Sequence, residues 1–97
     1  MLVCRVTFKR TTGFWIFKKE ETFFYRIMAA AAHSVGDGYM PGDFVATVYA
    51  ESRNAPELKV KRCASWWMGA TEMDAVNGLV GLIAEQTKST VVDTIQL

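Results

Sequence analysis

From Leu2 to Phe8 the apolar side chains fall on every second position. Leu2, Cys4, Val6 and Phe8 share one side, and Arg5, Thr7 and Lys9 share the other. The same period returns from Phe44 to Glu51, with Phe44, Ala46, Val48 and Ala50 on the inward side and Val45, Thr47, Tyr49 and Glu51 on the outward side. Two half-buried strands require an antiparallel-rich sheet with one face covered and the other open to water or to a partner.

The segments between them set the expected order. Thr11-Thr12-Gly13 is a turn in which glycine supplies a positive φ, and Phe14-Trp15-Ile16-Phe17 has the composition of a returning strand. Over Glu20 to His33, the spacing of Phe23 or Phe24, Ile27, Met28 and Ala31 predicts a helix, with Glu20 and Glu21 at its positive end and Gly36 as its stop. The alanines Ala29 to Ala32 give that helix a thin packing surface. Gly36 to Asp43 is a loop, Ser52 to Glu57 a polar turn, and Leu58 to about Trp66 a strand.

A second helix starts at Thr71, with Asp74 placed for a capping box and Val76, Leu79, Val80, Leu82 and Ile83 as its apolar stripe. Gly78 and Gly81 interrupt it and imply close approach to the sheet. Val91 to Leu97 is a final strand. The expectation is one α+β domain over residues 1–97 in the order ββαββαβ, with two helices on one face of the sheet. Residues 2–33 and 44–88 then form two hairpin-plus-helix units. If Phe14 to Phe17 is a loop or a helical turn, the order becomes the ferredoxin-like βαββαβ.

Composition removes several function classes. With 51% hydrophobic and 22% charged residues, the 97-residue chain has the make-up of one globular domain. A net charge of +1 fits neither a basic coat for nucleic acid nor an acidic mimic of it. Cys4 and Cys63 lack CxxC spacing and sit in apolar surroundings, so they read as reduced core thiols. One histidine beside them makes no zinc set. No secretory leader is evident, and the uncharged stretch Ile27 to Gly36 is too short to cross a bilayer. The expectation is a cytoplasmic protein with no membrane partner, no metal and no cofactor.

Charge placement points to a surface. Residues 1–26 carry six basic and two acidic groups, 53–62 four and one, and 63–97 one and four. If the strand bearing Lys59 and Lys61 neighbours the first, Arg5, Lys9, Lys59 and Lys61 gather on the open face. RNA-recognition domains place stacking aromatics at such outward positions, and here those positions hold Arg5, Thr7, Lys59 and Lys61. Surplus aromatics occur at Phe14-Trp15-Phe17, Phe23-Phe24-Tyr25 and Trp66-Trp67. Adjacent strand residues point to opposite faces, so at least one of Trp66 and Trp67, and one of Trp15 and Ile16, must be partly exposed.

Trp15, Trp66 and Trp67, with Tyr39 in the GDGYMPGD loop, are therefore the expected apolar anchors beside the cations. His33 has no Ser, Cys or carboxylate at a catalytic spacing, and the loop matches neither a calcium nor a phosphate motif. These features predict a non-catalytic binding or regulatory module, of the kind a stoichiometric inhibitor is, docking a protein or ribonucleoprotein. The alternatives are a nucleic-acid binder using phosphate contacts, a homodimer, and a small-molecule enzyme with its site near His33.

Overall fold

The computed structural model describes the backbone of residues 1–33, 43–68 and 71–97, and the side chains of 1–30, 47–63 and 71–97. Among the described residues there are five strands, β1 (Leu2–Thr12), β2 (Lys19–His33), β3 (Asp43–Glu51), β4 (Arg62–Met68) and β5 (Thr90–Gln96). One helix, α1 (Glu72–Thr87), lies between β4 and β5 in the chain. The sheet order is β4-β3-β2-β1-β5 and every neighbouring pair is antiparallel. The α+β class, the antiparallel sheet and the C-terminal strand agree with expectation.

The first predicted helix is instead β2. Phe23, Tyr25, Ile27 and Ala29 are buried while Phe24 and Arg26 are exposed, a period of two rather than 3.6. Three successive aromatics and four alanines satisfy either period, so local pattern does not separate them. What decides is β1, which offers β2 a ladder of eleven residue pairs from Leu2↔Ala29 to Thr12↔Lys19. Helix propensity differs by well under about 1 kcal/mol per residue for non-glycine residues, and long-range pairing overrides it.

Phe14 to Phe17 is likewise not a strand. Trp15–Phe17 forms a 3₁₀ turn, closed by Phe17 N–H donating to Phe14 O at 3.1 Å. Gly13 has φ +84°, and a Cβ there would collide with the Phe17 carbonyl, so the turn requires glycine. The observed order is thus ββββαβ. Both expected orders fail, because each needed the first helix, and of the two hairpin-helix units only the second exists.

The core lies on one face. Cys4, Val6 and Phe8 from β1, Phe23, Tyr25, Ile27 and Ala29 from β2, and Val48 and Ala50 from β3 meet Ala75, Val76, Leu79 and Ile83 of α1. Phe8, Phe23 and Tyr25 pack with ring centroids 5.7–6.0 Å apart. Tyr25 Oη donates to Pro56 O at 2.6 Å, fixing the turn after β3. Arg10 closes the other end of the core, pairing with Glu21 at 2.8 Å and lying 5.3 Å over the Phe23 ring near the C-terminus of α1. Both cysteines are free, Cys4 fully buried and Cys63 half-buried, and burial pushes each thiol up. Among the described residues no helix is long and apolar enough to cross a membrane.

The second predicted helix forms with its expected cap, and of its apolar stripe Val76, Leu79 and Ile83 are buried while Leu82 is exposed. Thr71 is the N-cap, and its Oγ1 accepts from Asp74 N–H at 3.1 Å while the Asp74 carboxylate accepts from Thr71 N–H at 2.9 Å. Gly78 and Gly81, however, make no close approach. Both are exposed, and a Cβ at either would meet nothing within 4 Å.

Two outcomes follow from α1. Gly78→Ala and Gly81→Ala are each expected to raise stability by up to about 1 kcal/mol, read from denaturant midpoints; a loss would mean that the positions need glycine. The hydrogen bonds from the Thr71 backbone and side chain hold the Asp74 carboxyl below the ordinary carboxylate range. A lowered folded value means that the cap stabilises above the unfolded pKa and that this contribution disappears as pH falls through the lowered one. Asp74→Asn should therefore be less stable than the parent at neutral pH, with the gap closing in melts below about pH 4.

Candidate docking face

The β1–β2 register that buries Val6 and Tyr25 turns Arg5, Thr7 and Lys9 outward beside Arg26, Phe24 and Thr22. Continuing across the sheet gives two rows. One runs Ile95, Arg5, Arg26, Glu51 from β5 to β3, and the next runs Val3, Met28, Tyr49, Arg62 from β1 to β4. α1 covers the opposite face.

Arginine dominates this surface. The Arg5 guanidinium lies 5.9 Å from the centre of the Phe24 ring, and Arg62 lies 4.9 Å from that of Tyr49. Each such contact contributes about 0.5–1 kcal/mol at an exposed site and holds a planar, five-donor fork in place. Arg26 sits directly opposite Arg5, a like-charge pairing that disfavours the sheet. Among the described residues Arg5, Arg26 and Arg62 form no ion pair, whereas Lys9 reaches Glu20 at 3.0 Å. Phe24 is 54% exposed, an unusual state for a phenylalanine in the middle of a sheet.

The face is not uniformly positive. Glu51 lies beside Arg26, and Asp93 of β5 pairs with Thr7 next to Arg5. Two shallow depressions adjoin the arginines. One of about 550 Å³ is lined by Phe24, Arg26, Glu51 and Arg53, and one of about 690 Å³ by Met28, Thr47, Tyr49 and Arg62.

The expected cation cluster is only half present. Arg5 and Lys9 are on the face. Lys59 and Lys61 are not: Arg62 faces outward opposite Tyr49, so Lys61 before it lies opposite the buried Ala50, whose N–H donates to the Lys61 carbonyl at 2.9 Å, and Lys59 lies ahead of the first residue of β4. Between them, Val60 is held by Gln86 of α1, whose side chain donates to Val60 O and accepts from Val60 N–H, both at 2.9 Å. That bond ties the segment bearing both lysines to the helix. β4 is also two strands removed from β1, whose neighbours are β2 and β5. Sequence reasoning does not find Arg26 or Arg62: the first falls in the segment expected to be a helix, and the second falls on the inward side of a strand whose outward residues are taken to be Lys59 and Lys61.

Of the expected aromatic anchors, only Trp15 has a side chain among the described residues. Trp15 stands at the tip of the β1–β2 hairpin, apart from the arginine rows. Trp66 and Trp67 belong to β4 in register with Val45 and Phe44, and their side chains lie outside the described residues, as does that of His33. Tyr39 and its loop lie outside them altogether. No family model, curated protein or solved structure matches the chain.

If these arginines serve a partner rather than the fold, removing them leaves the fold intact. Arg5→Ser and Arg26→Ser should each change unfolding free energy by no more than about 1 kcal/mol in urea titrations. A loss above about 2 kcal/mol would make them structural.

Proposed function

We propose that the chain is a non-catalytic binding module of the cytoplasm that docks a protein or ribonucleoprotein partner through the open face of its sheet. The observation that carries this reading is the presence on one face, in two adjacent rows, of Arg5, Arg26 and Arg62, which form no ion pair among the described residues, two of them lying over aromatic rings, with Glu51 and Asp93 close by. Arginine, tyrosine, phenylalanine and methionine are the residues enriched at interface centres, and Met28 completes the set. A surface with Glu51 and Asp93 beside its arginines suits a partner presenting both signs of charge, as a protein does, better than a polyanion.

Binding at such a face occludes whatever the partner presents, so a stoichiometric inhibitor or regulator is the form of activity it favours. The second reading is a single-stranded nucleic acid stacking on Phe24 with its phosphates on Arg5 and Arg26, supported by the exposure of that ring.

Affinity capture from the native host by the parent chain, compared with Arg5→Glu/Arg26→Glu/Arg62→Glu, tests the first reading. A partner held at stoichiometric amounts by the parent and lost from a variant with an unchanged circular dichroism spectrum supports it. Equal capture by both would end it. Titration of labelled single-stranded RNA and DNA separates the second reading, which requires affinity to fall steeply between about 50 and 200 mM salt and to vanish in the same variant.

A further inference from the structure

The tip of the β1–β2 hairpin presents Phe14, Trp15, Ile16 and Phe17 at 72%, 83%, 88% and 74% exposure. Soluble surfaces carry single apolar residues routinely, but a run of four consecutive large ones on one turn is an error unless it has a function. The turn is built to show them. Gly13 provides the positive φ, the Phe17 N–H to Phe14 O bond satisfies the backbone, and Trp15 is held at φ 57°, a region that non-glycine residues adopt only under constraint. The tip stands about 15 Å past the last core layer, Phe8 and Phe23, at about 3.3 Å per strand residue.

The charges around it have a direction. Glu20 and Glu21 are occupied by Lys9 and Arg10, at 3.0 and 2.8 Å. Among the described residues Lys18 and Lys19, which follow the apolar run directly, form no ion pair. The result is an apolar projection with a cationic collar. Being convex, with side chains exposed on all sides, it is suited to a soft surface that closes around it, and the collar selects an anionic one. Aromatic residues at the interface and lysines at headgroup level are how proteins seat at such a depth.

We propose that the Phe14–Phe17 tip inserts into the interface of an anionic phospholipid membrane, with Lys18 and Lys19 against the headgroups. This is peripheral contact by a hairpin, not a membrane span. It is independent of the docking face, which lies along the sheet. An insertion of about 5–10 Å takes up the tip and leaves the body in water.

The test is flotation of the full chain with vesicles of phosphatidylcholine containing phosphatidylserine, and with vesicles of phosphatidylcholine alone. The parent should float with the mixed vesicles at least about tenfold better than with the neutral ones. Trp15→Ser and Phe17→Ser should each reduce partitioning about tenfold or more, and Lys18→Glu/Lys19→Glu should abolish the preference for phosphatidylserine. These side chains touch no core residue, and unchanged thermal melts will show that the variants fold. Failure of the parent to float would overturn the proposal, as would a serine variant floating like the parent. So would a dimer in lipid-free sedimentation that Trp15→Ser dissociates, since a second copy would then cover the tip.

Discussion

The ladder between β1 and β2 is the constraint on which the rest of the molecule depends. Its eleven pairs fix which residues of both strands share a face, because side chains alternate with a period of two. Val6 opposite Tyr25 and Phe8 opposite Phe23 place the aromatic core on one side. Arg5 opposite Arg26 and Thr7 opposite Phe24 place the arginine-aromatic surface on the other. A slip of one residue in either strand would put arginine into the core and phenylalanine into water on both faces. β2, at 15 residues and about 3.3 Å each, also sets the long axis of a molecule extending 57 × 24 × 20 Å.

One helix cannot cover what this ladder organises. Five strands span about 19 Å across at about 4.8 Å each, and a helix with its side chains is about 10 Å wide. α1 packs over the inner strands, and the residues of β5 remain exposed on both faces. The borders of the core are therefore held by polar ties. Gln86 binds Val60, Tyr25 binds Pro56, and Arg10 joins Glu21 at the point where α1 ends. The Gln86 bond also anchors to the helix the residue between Lys59 and Lys61, just ahead of the point where β4 begins.

The two surfaces proposed for binding have different physics. The sheet face combines rigid planar cations with half-exposed rings and nearby carboxylates, an arrangement that discriminates by geometry and sign of charge. The hairpin tip combines apolar bulk with two free lysines and makes no use of a fixed partner shape. They sit on different parts of the same hairpin, so a chain seated by its tip would still present the arginine rows.

Periodicity determined what depends on near neighbours in the chain. The outward Arg5, Thr7 and Lys9, the inward Val48 and Ala50, the capped helix from Thr71 and the final strand were all legible, because each rests on a spacing or a cap within a few residues. β2 was not, because Phe23, Ile27, Met28 and the alanines fit a helix as well as a strand, and only pairing with β1 favours the second. The same long-range pairing placed Arg26 on the open face, and the pairing of β4 with β3 placed Arg62 there opposite Tyr49. Gly78 and Gly81 looked like packing positions, and only the placement of α1 on the sheet turned them to water. Local energies of a few tenths of a kcal/mol per residue left these choices nearly balanced, and tertiary contacts settled them.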